Sequence, residues 1–207
     1  MKTKRAELIF FLSWLAVVLG CVAVMTKYSS ASGAKGKAQS EWPEGSSLVR
    51  DNGTPSLIVF AHPHCPCTAA TIGELERLLI PLKGKVDVQV VFVRPKGESE
   101  AWLQSAAWNH VKSLPGVRTV VDVDGEEATR FGARTSGQTY LYDDSGTLVF
   151  NGGITPSRGH MGDSLGRAAI LDWLQEGKIA SASTSVFGCA LMGSAMPVAM
   201  RANGATP

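Results

Sequence analysis

The feature that most constrains the fold is a short apolar run that ends in a cluster of histidines and cysteines, SLIVFAHPHCPCT at 56–68. A β-branched apolar run of this length predicts a buried strand. From Thr68 onward, apolar residues recur at helical spacing until Pro81 ends the run, which predicts a helix. Cys65 and Cys67 are therefore expected at a strand-to-helix turn, where free backbone N–H groups and the helix dipole lower the pKa of a thiol.

After this helix, strands and helices alternate along the chain. β-branched runs predict two further strands separated by a helix, an order typical of parallel strands joined by right-handed crossovers. A short helix, a hairpin with the turn sequence DDSG and a last helix follow. The predicted strands are 86–93, 117–123, 137–142 and 147–151, and the predicted helices are 101–114, 124–131 and 163–176. This order predicts the thioredoxin-like α/β fold, a central mixed sheet flanked by helices.

An apolar run at 8–25, LIFFLSWLAVVLGCVAVM, follows a basic N-terminus at 1–7. At about 1.5 Å per residue it spans roughly 27 Å, close to the bilayer hydrocarbon core of about 30 Å, and so predicts an uncleaved transmembrane anchor. Positive charge stays on the cytoplasmic side, so the rest of the chain is expected across the membrane. The alternatives are a signal peptide cleaved near 29–31 and lipid attachment at Cys21.

Composition divides the rest of the chain into three parts. Residues 26–53 are rich in Ser, Ala, Gly and Lys and predict a flexible linker. The folded domain is expected at 54–178, and residues 179–207 form a low-complexity C-terminal tail. Among 207 residues, 18% are charged and the formal net charge is +2, with Lys and Arg scattered rather than gathered in a basic stripe. Nucleic acid is therefore excluded as a partner.

The tail contains Cys189, which would be an odd thiol beside the Cys-Pro-Cys pair outside the cytoplasm. An odd thiol suggests a third redox cysteine or pairing with another molecule. Val186 and Phe187 are apolar enough to dock the tail and bring Cys189 to the pair. The alternative is a disordered tail with an incidental cysteine.

Several blocks of sequence resemble one known group of proteins. FAHPHCPCTAAT at 60–71, GGITPSRGHMGD at 152–163 and SVFGC at 185–189 resemble the thioredoxin-like superfamily, and within it the RedB-type bacterial membrane-anchored branch. The resemblance covers 56–177. It implies a thiol-disulfide oxidoreductase that exchanges with thiols or disulfides of partner proteins. The implied location is the bacterial inner membrane, with a single span and the domain facing the periplasm.

Two positions depart from the superfamily pattern. Its usual Cys-x-x-Cys motif is here Cys65-Pro66-Cys67, and Gly137 stands where the family has a cis-proline. The resemblance implies that Cys65 is the nucleophile and Cys67 its resolving partner, with Pro66, Ser136 and Gly137 docking the partner peptide. A disulfide across one residue closes a tight ring and is easier to reduce, so an oxidising or isomerising domain is expected.

Topology predicts that the loop after the second hairpin strand returns to the end of the sheet that carries the cysteines. This loop contains Arg158 and His160. Arg158 is expected to stabilise a thiolate by its charge, and His160 to relay a proton to the leaving sulfur. The alternative is that both side chains only cap the following helix or face water.

The segment HPHCPC supports copper binding as an alternative function. Histidine and cysteine are suitable ligands for Cu(I) or Zn(II), whereas the oxidoreductase needs no cofactor. The candidate ligands are His62, His64, Cys65 and Cys67. Thioethers at Met192, Met196 and Met200 follow in the tail at four-residue spacing, although Gly193 and Pro197 argue against a regular helix there.

Two other interpretations of the cysteine pair stay open. In one, His64 takes the first-cysteine position of the motif and Cys67 the second, so that Cys65 is an insertion. In the other, the pair is a structural bridge in a non-catalytic tethered interaction domain. A bridge across one residue closes almost no chain and would contribute little stability.

Overall fold

Five strands form one mixed sheet in the computed structural model, which describes residues 2–51, 53–82 and 84–192. The strands are β1 (Ser56–Ala61), β2 (Asp87–Arg94), β3 (Val117–Val123), β4 (Gln138–Tyr142) and β5 (Leu148–Gly152). The helices are α1 (Lys2–Ser30), α2 (Pro66–Leu79), α3 (Ala106–Ser113), α4 (Glu126–Phe131) and α5 (Leu165–Glu176), with 3-10 turns at Ile80–Leu82 and Glu100–Leu103. The predicted order of strands and helices is confirmed.

The strand order is β3-β2-β1-β4-β5, with β1 at the centre. β1 pairs in parallel with β2, and β2 with β3, whereas β4 and β5 are antiparallel to their neighbours. All six residues of β1 are buried, which explains its unbroken apolar sequence. Because Phe60 lies opposite Gln138, the carboxyl end of β1 meets the segment that leads into β4. The cysteines follow at this edge of the sheet.

The two faces of the sheet bury different side chains. On one face, aliphatic residues of α2, α3 and α5 pack against alternate residues of the strands. On the other face, α4 covers an aromatic layer that contains Phe60, Phe131, Tyr140 and Tyr142. Alternation along each strand directs successive side chains into these two layers.

Residues 31–51 and 53 lie along the domain, which differs from the predicted flexible linker at 26–53. The Trp42 ring packs edge-on against Phe131 and Tyr142, with centroids 5.3 and 5.4 Å apart. Leu48 is also buried in the aromatic layer. The segment is poor in apolar residues, but these two side chains cover a face that would otherwise meet water. The average composition of a segment does not reveal single apolar side chains that pack on a domain.

The predicted helix at 101–114 is shorter in the structure. A 3-10 turn covers Glu100–Leu103, and α3 begins only at Ala106. Gln104 is the C-cap of the first piece, and Ser105 is the N-cap of the second, since its side chain accepts a hydrogen bond from the Trp108 N–H at 3.1 Å. Serine is a preferred N-cap, and this local bond outweighs the continuous helical pattern.

Helix α1 extends beyond the predicted span of 8–25 at both ends. Its segment Lys4–Ser30 has a mean hydropathy of 2.7 in its most apolar window, none of which is buried. The helix is long and apolar enough to cross a membrane, as a signal sequence would also be. Among the helices that the structure describes, α1 is the one that is long and apolar enough to cross a membrane.

Candidate thiol site

The two cysteines lie where β1 gives way to α2, as the sequence predicts. Cys65 is the N-cap of α2, Pro66 is its first residue and Cys67 its second. Proline fits the first helical position because no helical hydrogen bond requires its missing N–H. Cys65 and Cys67 are 5% and 7% exposed, and both are free thiols. Pro66 between them is exposed.

Cys65 is surrounded by hydrogen-bond donors. The Cys189 thiol contributes most to lowering the pKa of Cys65, to about 5. The backbone N–H groups of Cys189 and Cys67 and the Thr68 hydroxyl act in the same direction, while burial opposes them. The Cys189 N–H lies 3.4 Å from the Cys65 sulfur. Near neutral pH, Cys65 is therefore a thiolate, the reactive form of cysteine.

The other two sulfurs retain their protons. Burial raises the pKa of Cys67, and the negative charge of Cys65 raises it further, while Arg158 and the Gly159 N–H partly oppose the shift. The hydrogen bond to Cys65 raises the pKa of the Cys189 thiol. The negative charge of the three-sulfur cluster therefore resides on Cys65. These electrostatics favour Cys65 over Cys67 as the nucleophile.

The first part of the C-terminal tail packs on the domain. Val186 is 4% exposed, and the Cys189 carbonyl accepts a hydrogen bond from the Ser136 N–H at 2.8 Å. Docking by residues 185–191 brings Cys189 to the cysteine pair. Met192 lies against Gly125, and the predicted thioethers of Met196 and Met200 lie outside the described residues.

Ser136 and Gly137 lie beside the cysteines but are covered rather than open to a partner. Both are buried, and the Ser136 N–H bonds the C-terminal tail at the Cys189 carbonyl. The Ser136 hydroxyl accepts a hydrogen bond from the His62 N–H and contacts the Thr68 hydroxyl, each at 2.9 Å. The Gly137 N–H donates to the Phe60 carbonyl at 2.8 Å, so this segment continues the sheet at its cysteine-bearing edge.

Gly137 requires a conformation that only glycine adopts without strain. Its φ is +91°, and an added Cβ would lie 2.9 Å from the Thr71 hydroxyl oxygen. We expect Gly137→Ala to lower the free energy of unfolding by about 1–3 kcal/mol. Gly137→Pro should lower it by about 3 kcal/mol or more, because proline fixes φ near −65° and removes the N–H that bonds Phe60.

Urea unfolding of the detergent-solubilised chain, followed by tryptophan fluorescence, measures these differences. Gly97→Ala is the matched control, since a Cβ at Gly97 meets no atom within 4 Å. It should change stability by less than about 0.5 kcal/mol. A Gly137→Pro protein as stable as the parent would contradict the assigned backbone geometry.

The loop after β5 brings Arg158 to the site. The Arg158 charge acts on both Cys67 and Cys189. Its Nε donates to the Ala31 carbonyl at 2.9 Å, and its guanidinium lies over the Tyr28 ring. His160 is exposed, its Nδ1 lies 2.6 Å from the Arg158 carbonyl oxygen, and its contacts among the described residues include no cysteine. The proton relay by His160 stays a prediction.

A buried carboxylate positions this loop. Glu74 on α2 is fully buried and accepts the Gly162 N–H at 2.8 Å. It also forms ion pairs with Arg77 on the same helix at 3.1 Å and with Arg167 on α5 at 2.9 Å. Because breaking a buried ion pair is strongly destabilising, these contacts hold α2, α5 and the loop in one arrangement.

The two histidines face an aromatic side chain. The rings of His62 and His64 pack edge-on against Trp102, with centroids 5.2 and 4.8 Å away. Burial lowers the pKa of His62. Within residues 2–51, 53–82 and 84–192, no group of three or more His, Cys, Asp or Glu side chains is arranged to hold a metal ion. Sequence reasoning missed Trp102 here, and it missed the Thr68 hydroxyl, which contacts the predicted docking residue Ser136.

Comparisons with known proteins identify the fold. No family model matches the chain, and no curated protein matches its sequence. An uncharacterized conserved protein from Geobacillus kaustophilus is 19% identical, with a TM-score of 0.56 over 79% of this chain and 93% of that chain. A hypothetical protein from Sinorhizobium meliloti 1021 is 20% identical, with a TM-score of 0.54 over 79% and 94%.

The similar structures also include a protein that is described as a thioredoxin. The pneumococcal exposed lipoprotein thioredoxin from Streptococcus pneumoniae is 22% identical, with a TM-score of 0.42 over 60% of this chain and 86% of that chain. In this chain the parallel crossovers among β1, β2 and β3, the antiparallel hairpin of β4 and β5 and the last helix form the arrangement that the sequence predicts for a thioredoxin-like fold. The chain therefore has a thioredoxin-like fold, preceded by an apolar helix that is long enough to span a membrane.

Proposed function

We propose that the chain is a membrane-anchored thiol-disulfide oxidoreductase, of the RedB-type branch that its sequence blocks resemble. The environment of Cys65 carries this proposal. A cysteine at the N-cap of a helix, with its pKa lowered to about 5 beside a protonated Cys67, has the properties of an attacking thiolate with a resolving partner. A buried structural cysteine would not need a stabilised negative charge.

The exchange proceeds in two balanced steps. The Cys65 thiolate attacks one sulfur of a partner disulfide, a mixed disulfide forms, and the other partner sulfur leaves as a thiolate. Cys67 then loses its proton to the released thiolate and attacks the Cys65 sulfur. The Cys65–Cys67 disulfide forms, and the partner leaves with both of its cysteines reduced.

The same steps run backwards when a partner thiolate attacks the Cys65–Cys67 disulfide. We expect this oxidising direction to dominate, because donors that stabilise the Cys65 thiolate stabilise the reduced protein. The tight ring that would close across Pro66 acts in the same sense.

Anchoring by α1 would keep the thiol site close to the membrane surface. The Arg158 N–H donates to the Ser29 carbonyl at 3.0 Å, so the end of α1 lies beside the loop that borders the cysteines. The basic N-terminus predicts that the domain lies in the periplasm, an oxidising compartment in which protein thiols and disulfides are available as partners.

A glutathione titration of the full chain in detergent tests the proposal. We expect the Cys65 and Cys67 thiols to convert to an internal disulfide as the ratio of oxidised to reduced glutathione rises, measured by alkylation and mass spectrometry. Loading with Cu(I) before and after alkylation tests the alternative function. If no internal or mixed disulfide forms at any ratio and one copper ion per chain survives dialysis, the protein is a copper-binding protein. If neither occurs, it is a non-catalytic interaction domain.

A further inference from the structure

The segment 184–191 is held on both sides of the thiol site. Before the site, the Thr184 hydroxyl accepts the Gly153 N–H at 3.1 Å and donates to the Gly153 carbonyl at 2.9 Å. After the site, the Leu191 N–H donates to the Arg134 carbonyl at 2.9 Å. Leu191 is buried in the aromatic layer. Between these two attachment points the chain passes the cysteine pair, with the Cys189 N–H directed at the Cys65 sulfur.

Between its anchors the segment pairs with Thr135 and with Ser136, one of the residues that were expected to dock a partner peptide. Ala190 forms an antiparallel bridge with Thr135, and the Ser136 N–H donates to the Cys189 carbonyl at 2.8 Å. A Cβ at Gly188 would lie 1.9 Å from the Ser136 carbonyl oxygen, so only glycine permits this approach. Backbone pairing of this kind is how an extended peptide is added to a sheet edge.

The same pairing aims a sulfur at the nucleophile. The Cys189 nitrogen is 3.4 Å from the Cys65 sulfur, and the Cys189 thiol also donates a hydrogen bond to that sulfur. Nothing else in the segment offers a group that reacts with a thiolate. Cys65 is 5% exposed, and the segment contacts it through Cys189. Cys189 thus occupies the position that a partner cysteine would need.

We propose that the segment 184–191 is a built-in substrate of the thiol site and that Cys189 forms a disulfide with Cys65. This inference rests on the proposed oxidoreductase function and assigns that site a third redox cysteine. A partner protein has to displace the segment before its own cysteine reaches Cys65. The oxidised protein therefore exists as two isomers, one with Cys65 bonded to Cys67 and one with Cys65 bonded to Cys189.

The isomers interconvert without a further oxidant. Oxidation of the pair by a partner disulfide first creates the Cys65–Cys67 bond. Cys189 then loses its proton and attacks the Cys65 sulfur, the Cys65–Cys67 bond breaks, and Cys67 leaves as a thiolate that takes up the proton. One disulfide is exchanged for another, so the number of electrons is unchanged.

The Cys67→Ser variant of the full chain, in detergent and treated with oxidised glutathione, isolates this bond. The Cys65 thiolate attacks glutathione disulfide and releases one glutathione, and Cys189 then displaces the second. We expect a product without glutathione that has lost two hydrogens, with peptide mapping that joins 65 to 189. In the Cys67→Ser, Cys189→Ser double variant, the glutathione adduct on Cys65 should persist. A stable adduct on Cys67→Ser, with Cys189 still free, overturns the proposal.

A second variant tests whether the bond to Cys189 requires the segment to be docked on Ser136 or only requires the tail to be nearby. Gly188→Ala, in the Cys67→Ser background, leaves every cysteine in place but forces the segment away from Ser136. Loss of this positioning should slow formation of the Cys65–Cys189 bond by about 10-fold or more. Gly97→Ala, where a Cβ meets open space, should leave the rate unchanged. An unchanged rate in Gly188→Ala would show that the segment is not a docked substrate.

Failure of this inference differs from failure of the proposed function. If the parent chain exchanges with glutathione through Cys65 and Cys67 but the Cys67→Ser variant never bonds Cys189, only the built-in substrate is wrong. If the parent chain does not exchange at all, both are wrong.

Discussion

Replacing Cys65 by serine should abolish exchange with glutathione disulfide at pH 7, slowing formation of a mixed disulfide by about three orders of magnitude. The physical reason is that Cys65 carries the negative charge of the site. Burial raises the pKa of Cys67, and that thiol remains protonated as a poor nucleophile. Mass spectrometry of samples quenched at successive times gives the rate at which the mixed disulfide with glutathione forms.

Two matched variants accompany this measurement. Cys67→Ser should still form the mixed disulfide at a rate near that of the parent, because it removes the resolving thiol and leaves the attacking one. Cys21→Ser should change nothing, since Cys21 lies on the exposed apolar helix. If Cys65→Ser reacts as fast as the parent, Cys67 is the nucleophile. The alignment in which Cys65 is an insertion would then be correct.

Removing the Cys189 thiol should raise the pKa of Cys65. Titration of the reduced protein by thiolate absorbance in the ultraviolet should give a midpoint near pH 5 for Cys65 in the parent chain. Cys189→Ala deletes the strongest donor to the thiolate, so its midpoint should move upward toward the ordinary value of about 8.5. Cys189→Ser retains a hydroxyl donor and should move less. A parent midpoint near 8.5, or equal midpoints in all three proteins, would contradict the assigned hydrogen bonds.

The same shift links stability to pH. The pKa of Cys65 is lower in the folded protein than in the unfolded chain, so the thiolate contributes stability that is fully present above the unfolded pKa of about 8.5. This contribution is lost as the pH falls through the folded value of about 5. The difference in unfolding free energy between the reduced parent and Cys65→Ser should therefore shrink from pH 8.5 to pH 5. Urea unfolding across this range measures it.

Local sequence patterns predicted the strands and their order along the chain. The apolar run of β1, the β-branched run of β3 and the turn between β4 and β5 each reflect neighbours in the chain. Where the structure differs from the predicted elements, one side chain accounts for each difference. Ser105 divides a continuous helical pattern, and Trp42 packs a segment whose composition resembles that of a linker.

The candidate site likewise has some features that follow from neighbouring residues and others that depend on tertiary contacts. The position of Cys65 and Cys67 at a helix N-terminus follows from consecutive residues and is read directly from them. The Arg158 charge acts on Cys67 and Cys189, and Glu74, far away in the chain, holds the same loop through the Gly162 N–H. The two histidines pack against Trp102, a contact that no spacing rule predicts.

The sequence by itself determined the secondary structure, the apolar N-terminal helix and the turn that carries the cysteine pair, because hydrophobic period and helix ends depend on residues that are near each other in the chain. The tertiary structure alone decided which sulfur is charged. Cys189 donates to Cys65 from 124 residues away, and only the folded chain brings the two together. A thiol's pKa depends on the donors and charges within a few ångströms of it, and those are set by packing across the whole domain.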